Sequence, residues 1–140
     1  MTPRQENLIR TSWAQVVPIA DQAATIFYNR LFELDPSLRP LFAHTDMAGQ
    51  RKILMQTLTV VVKSIDRLGD IVPAVQALGR RHAGYGVQPE HFATVGQALL
   101  DTFAIGLGEG FTPDAKEAWT IAYGVLADVM IEAMAEAAAA

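Results

Sequence analysis

Apolar residues recur at intervals of three and four along most of the chain, and glycines and prolines cluster between these stretches. This spacing is that of amphipathic helices, and alternating segments typical of strands are scarce. The pattern therefore predicts an all-α fold. The predicted breaks between helices lie at Pro18 and at residues 35–42, 68–70, 84–86 and 108–110.

Local signals agree with several of these helix ends. Thr2 followed by Pro3 and Gln5 is the pattern of an N-cap, a proline in the first turn and a capping box. Thr112 and Pro113 predict the start of the last helix in the same way. Residues 36–42 form a short turn-like piece that contains a proline, and residues 137–140 are expected to be a fraying terminal turn.

Composition narrows the function classes. The chain has 140 residues, the size of one ordinary domain, so a single domain over residues 1–140 is expected. A net charge of −4 provides no basic field for nucleic acid. The absence of cysteine excludes disulfides and thiolate metal sites. The apolar runs are short of a membrane span and the N-terminus lacks a signal-like core, so a soluble, cytoplasmic protein is expected.

One of the three histidines lies on an apolar helix face. His82 belongs to a stripe with steps of four, three, four and three, made of Ile71, Val75, Leu78, His82 and Tyr85. His44 and His91 lie in polar surroundings and are expected to be surface residues or local hydrogen-bonding partners. Taken alone, His82 has two interpretations. It is either a core histidine hydrogen-bonded to the preceding turn or a metal ligand.

Other inward-facing polar residues favour the interpretation of His82 as a metal ligand. Gln50 shares an inward helix face with Leu54 and Leu58, and the phenol of Tyr28 also points inward. Each polar group left unsatisfied in a core costs about 1–3 kcal/mol, so three of them indicate something polar between them. One histidine without cysteine cannot hold zinc in a closed shell, whereas a haem iron needs only one protein ligand.

Two other motifs receive plainer interpretations. Asp128, Glu132 and Glu136 repeat at intervals of four, as a dinuclear carboxylate site would require, but no Glu-x-x-His accompanies them. A solvated helix face is therefore favoured. The glycines of residues 106–110 lack the spacing of a phosphate-binding loop and are interpreted as a helix stop.

Five segments in order resemble the single-domain bacterial haemoglobins and the globin domain of flavohaemoglobins. They are FYNRLF (27–32), RPLF (39–42), LGRRHAGYGV (78–87), VGQALL (95–100) and AWTIAYGVLADV (118–129). The resemblance spans almost the whole chain. It implies a globin fold, with helices packed around a pocket for haem b, iron protoporphyrin IX.

The resemblance also implies a role for individual residues. His82 matches the proximal iron ligand, and Tyr28 and Gln50 match the distal residues that contact a bound gas. Arg81, beside the iron ligand, is in a position to bind a haem propionate, and the alternative is an exposed arginine near a helix end. The remaining positions that would contact the cofactor are Phe42, Leu54, Leu58, Leu78, Val87, Phe92 and Val95. Trp13 and Trp119 are expected to be core.

One departure from the family pattern concerns the proximal side. The tyrosine and glutamate that usually support the proximal histidine are replaced by Phe92 and Met134. Because Phe92 offers no polar atom, the imidazole of His82 is expected to donate its free N–H to a backbone carbonyl, that of Leu78. Less electron density then reaches the iron, which makes peroxidase-like chemistry doubtful.

The resemblance implies three possible functions. The favoured one is a binding protein that reversibly binds O2, and also CO and NO, for storage or delivery. The second is an NO dioxygenase, which needs a separate reductase because no flavin-binding or nicotinamide-binding segment follows residue 140. The third, from another class, is a globin-like interaction module without a cofactor.

Overall fold

The computed structural model describes residues 1–139, and no strand occurs among them. The predicted all-α class is confirmed. The α-helices are α1 (Pro3–Val16), α2 (Ala20–Leu34), α3 (Met47–Lys63), α4 (Val72–Gly84), α5 (His91–Leu107) and α6 (Pro113–Ala139). Short 3₁₀ segments connect them at Val17–Ile19, Pro36–Phe42, Ile65–Ile71 and Gly108–Gly110.

The predicted helix ends are confirmed at several places. The Thr2 side chain accepts a hydrogen bond from the Gln5 backbone N–H, and the Gln5 side-chain oxygen accepts one from the Thr2 backbone N–H, which is the expected capping box. Gly108, with φ of +55°, terminates α5 in a conformation that favours glycine. Helix α6 continues through residues 137–139, where a fraying terminal turn is predicted. Ala140 lies outside the described residues.

Two boundaries differ from the prediction. The apolar pattern extends α3 to Leu68, but the helix ends at Lys63 and Arg67 adopts a non-helical conformation. The apolar residues that follow continue the core in a 3₁₀ segment, so the hydrophobic pattern alone does not reveal the break. The predicted break at residues 84–86 extends to residue 90, because α5 begins at His91.

The helices pack in pairs around one principal core. In the interface between α1 and α6, the indole N–H of Trp119 donates to the hydroxyl of Ser12 over 2.8 Å. Trp13 is also buried, so both tryptophans are core residues, as predicted. Helix α2 packs on α5 and on α3, and α4 packs on α6. A Cβ atom at Gly79 would lie 2.6 Å from the Met130 carbonyl oxygen, so α4 and α6 approach closely there.

Helix α6 includes a segment, Pro113–Ala137, that is long and apolar enough to cross a membrane by length and composition alone. The same helix packs against α1, α4 and α5. A long apolar helix at the centre of a helical domain meets the same criterion, because its apolar residues serve the core. Asp128, Glu132 and Glu136 are exposed on its outer face, as predicted.

Candidate functional site

The ring of His82 is oriented by the helix that carries it. His82 lies in the last turn of α4 and is half-buried. Its Nδ1 is 2.7 Å from the carbonyl oxygen of Leu78, one turn earlier, as the sequence predicted. Because a carbonyl can only accept, Nδ1 carries the proton. The lone pair of Nε2 is therefore free to bind a metal ion.

The residues next to the His82 ring are aromatic. The ring centroid of Phe92, at the start of α5, lies 6.2 Å from that of His82, and Phe92 is buried. Tyr85 lies 6.0 Å away but is 62% exposed, so its predicted place on the inward stripe is wrong. Helix α4 ends at Gly84, and the helical spacing that aligned Tyr85 with the stripe no longer applies beyond that point.

A second cluster of buried apolar residues supports Phe92. It contains Met134 and Ala127 of α6, with Val87 and Met130 packed against them. The two positions at which the sequence departs from the family pattern, Phe92 and Met134, thus lie in one cluster. Within residues 1–139, the hydrogen bond of the His82 imidazole goes to the Leu78 carbonyl oxygen.

Tyr123 was missed by the sequence reasoning as a support for the start of α5. Its hydroxyl donates to the Phe92 carbonyl oxygen over 2.6 Å, and burial raises its pKa well above the ordinary value, so the donor stays protonated. The ring packs so closely on Gly96 that a Cβ there would lie 2.7 Å from Tyr123 Cε2. The Phe92 carbonyl and Gly96 thus hold the ring in place.

Tyr28 is buried in an aromatic cluster at the end of α2. Its ring meets that of Phe42 edge to face at 5.7 Å, and Phe42 meets Phe32 at 5.4 Å. Burial raises the pKa of the Tyr28 hydroxyl. The Gln50 side chain and the charge of Arg51 partly offset that rise. Tyr28 is buried on α2, and Gln50 is half-buried on α3, which packs against α2. Their shared role around a bound gas stays a prediction.

Several large apolar side chains of the predicted site are half-buried: they are neither fully buried nor fully exposed to solvent. The half-buried members are Phe42, Leu54, Leu58, Leu78, Val87 and Val95. Phe42, Leu54, Leu58 and Val95 pack against the principal core, and Val87 packs against the second cluster. In a close-packed interior such residues are normally fully buried. His82 and Gln50 are half-buried as well.

The remaining candidates are Arg81, His44 and His91. Arg81 is exposed in the last turn of α4. His44 is an exposed surface residue, as expected. His91 makes a local hydrogen bond, also as expected, because its Nδ1 accepts from the Gln88 backbone N–H over 2.9 Å. Within residues 1–139, no group of three or more His, Asp or Glu side chains is arranged to hold a metal ion.

The amino-acid sequence is similar to a family model and to known proteins. The family model described as Globin matches residues 25–130. A flavohemoprotein of Bacillus subtilis is 39% identical over 107 residues, which are 75% of this chain and 27% of that protein. The chain thus spans about a quarter of the flavohemoprotein's length. A neuroglobin of Tetraodon nigroviridis is 30% identical over 139 residues, covering 90% of this chain and 87% of the neuroglobin.

Two solved structures are similar over nearly their full lengths. An engineered carbene transferase from Rhodothermus marinus, described as a candidate nitric oxide dioxygenase, has a TM-score of 0.88 and 27% identity, covering 99% of this chain and 96% of that one. A bacterial globin from Campylobacter jejuni has a TM-score of 0.85 and 24% identity, with 96% and 97% covered, and shows the fold. The globin match over more than half of the sequence shows that the chain belongs to the globin family.

Proposed function

We propose that this chain binds haem through His82 and holds O2 reversibly between Tyr28 and Gln50. The observation that carries the proposal is the hydrogen bond from His82 Nδ1 to the Leu78 carbonyl, because it leaves Nε2 free for iron. Membership of the globin family implies haem binding. The proposed unit is a single domain over residues 1–140. Its lack of cysteine suits the reducing cytoplasm, where we propose it works.

The residues present fit a haem. Its macrocycle supplies four ligands to iron, so one well-oriented histidine completes the protein's share, and no further metal ligand is required. The half-buried apolar residues Phe42, Leu54, Leu58, Leu78, Val87 and Val95 offer apolar surface that suits a flat, apolar macrocycle. Because the chain has no cysteine for covalent attachment, haem b is the proposed form. When bound, it supplies an iron with an open position for a diatomic gas.

Tyr28 and Gln50, the two polar residues of the proposed gas pocket, would select the gas. The Tyr28 hydroxyl and the Gln50 amide are hydrogen-bond donors, and O2 accumulates more negative charge in such a pocket than CO does. Burial raises the pKa of Tyr28, so its hydroxyl keeps the proton that it donates. This arrangement favours slow release of O2 and has a smaller effect on CO.

The support of His82 favours binding over O–O bond cleavage. The Leu78 carbonyl is a neutral acceptor, and Phe92 offers no polar side-chain atom. A carboxylate-supported imidazole acquires more anionic character and pushes more electron density to iron. Without that support the chemistry that splits O2 or peroxide is disfavoured, which supports reversible binding as the first function.

A second candidate function is NO dioxygenation. The similarity to the Rhodothermus marinus protein over 99% of this chain favours it. In that reaction NO, O2 and one electron combine to give nitrate, NO₃⁻, and all atoms of both gases are retained. We propose that a reductase supplies the electron. The Tyr28 and Gln50 donors would then hold O2 until NO enters the pocket.

A haem titration tests the proposal. The protein is mixed with increasing haem, and the Soret band, the ferrous spectrum and O2 release by stopped flow are recorded. We expect one haem per chain, a histidine-ligated ferrous spectrum, and loss of stable binding in His82→Ala but not in His91→Ala. Absence of a Soret band would contradict the proposal and favour a cofactor-free interaction module. Consumption of NO with a reductase present would favour the dioxygenase.

A further inference from the structure

An open groove lies between the start of α2 and the first four turns of α3, away from His82. Its volume is about 580 Å³, which is within the range of sites for small organic molecules. The lining residues are Ala20 and Asp21 of α2 and Ala48, Arg51, Lys52, Met55, Gln56, Thr59 and Val60 of α3. None of them is among the residues assigned above to the haem or the gas.

Arg51 in this groove has an unused hydrogen-bond donor. Its Nε is buried and has no hydrogen-bond partner. The nearest acid, Asp21, has its Oδ1 3.8 Å from that nitrogen, which is beyond hydrogen-bond distance. The Asp21 side chain is 94% exposed, whereas that of Arg51 is 30% exposed. A buried guanidinium N–H without an acceptor is costly, and the exposed part of the Arg51 side chain gives an acceptor in the groove access to the guanidinium.

The charges and the shape of the groove define the acceptor. Two cations, Arg51 and Lys52, face one carboxylate, so the groove is locally positive in a chain with a net charge of −4. Beyond the cations, Met55 and the 53% exposed Val60 provide an apolar surface. The rise of an α-helix places Val60 roughly 13 Å along the axis from Arg51. An anion at one end and an apolar body along the rest would match this groove.

We propose that the groove between α2 and α3 binds a small organic monocarboxylate, with its carboxylate on Arg51 and its apolar body along Met55 and Val60. The planar fork of an arginine matches a carboxylate in geometry as well as charge. Lys52 adds a second positive charge at the same end. Asp21 competes for Arg51, so its removal should strengthen the binding.

The proposed carboxylate site is coupled electrostatically to the proposed gas pocket through Arg51. Arg51 adjoins Gln50 in sequence, and its positive charge reaches the buried Tyr28 hydroxyl, where it lowers the pKa against the effect of burial. A carboxylate on Arg51 cancels that charge, and the partly negative O2 between Tyr28 and Gln50 is then less stabilised. This coupling rests on the proposed function, whereas the binding of the carboxylate does not.

The probe for the test is 4-phenylbutyrate, and its neutral control is 4-phenylbutyramide. Each is titrated into the protein by calorimetry, and the backbone amide shifts of residues 48–60 report where it binds. We expect a dissociation constant of about 1 mM or tighter for the carboxylate, the range for a ligand of this size, and at least tenfold weaker binding of the amide. Arg51→Gln should weaken carboxylate binding at least tenfold. Lys63→Gln, which removes the same charge outside the groove, should leave it unchanged.

Asp21→Asn distinguishes an open site from a closed ion pair. Tighter binding in this variant supports the proposal, because a competing carboxylate has been removed. Equal binding of the acid and the amide, or an affinity that Arg51→Gln leaves unchanged, would overturn it. In the haem-loaded protein, saturating 4-phenylbutyrate should raise the O2 dissociation rate roughly twofold, the effect of one solvent-screened charge. Absence of a Soret band together with normal carboxylate binding would contradict the proposed haem function. The same result would support the carboxylate site in the groove.

Discussion

The Nδ1 atom of His82 and the carbonyl oxygen of Leu78, one helical turn earlier in α4, lie 2.7 Å apart. This bond fixes both the tautomer and the direction of the imidazole ring. It uses a backbone acceptor that every helix provides, so no particular side chain is needed at the neighbouring positions. The neutral carbonyl also leaves the imidazole less anionic than a carboxylate would, which sets the electronic character proposed for a bound iron.

Phe92→Tyr should lower the reduction potential of the haem iron. The Phe92 and His82 ring centroids are 6.2 Å apart, so a phenol oxygen at the far edge of this ring can approach the imidazole. A new hydrogen bond worth about 1 kcal/mol corresponds to a shift of about 40 mV for one electron. Spectroelectrochemistry measures the potential, and resonance Raman measures the iron–histidine stretch.

Phe111→Tyr is the matched control, because Phe111 packs on Phe103 and makes no contact with His82 among the aromatic pairs of the described chain. It should leave the potential unchanged. Equal potentials in the parent, Phe92→Tyr and Phe111→Tyr would show that residue 92 does not influence the imidazole.

Gly79→Ala should destabilise the protein by about 1–3 kcal/mol. The new Cβ would lie 2.6 Å from the Met130 carbonyl oxygen, a backbone atom that cannot move aside without separating α4 from α6. Gly84→Ala is the control in the same helix, since a Cβ there meets nothing within 4 Å. Urea denaturation measures both free energies of unfolding. Similar stabilities for the two variants would contradict the close approach of α4 and α6.

The O2 dissociation rate should be independent of pH from about pH 6 to about pH 9. Only the protonated Tyr28 hydroxyl can donate, and burial raises its pKa above the ordinary value of 10.0. A raised pKa keeps the proton on the phenol to higher pH, so the donor is complete throughout this range. Stopped-flow measurements at constant ionic strength test this. A rate that rises with a midpoint below pH 9 would mean that the phenol ionises more readily than its burial implies.

The sequence predicts the helices and the orientation of His82 because these depend on local features. The capping box at Thr2 and Gln5 involves residues three apart, and the His82–Leu78 bond involves residues four apart in one helix. Helical spacing alone brings such partners together. The half-burial of Phe42 or Val95, in contrast, depends on how separate elements pack.

The features that could not be predicted depend on contacts between elements or on a change of backbone. Arg51 and Asp21 are thirty residues apart in sequence and meet only when α2 packs on α3. Tyr123 reaches the Phe92 carbonyl across the interface of α6 and α5. The end of α3 at Lys63 is hidden because apolar residues continue beyond it in a 3₁₀ segment. Periodicity carries no information on these points.

The O2 dissociation rate of Tyr28→Phe, measured beside that of CO, tests whether the Tyr28 hydroxyl donates to bound O2. The substitution removes one hydroxyl and keeps the ring that packs on Phe42. Loss of a hydrogen bond to a partly charged acceptor costs about 1–2 kcal/mol, so O2 should dissociate roughly five to thirty times faster while CO changes much less. Equal acceleration of both gases, or O2 release at the parent rate, would contradict the assignment of Tyr28 as the donor to O2.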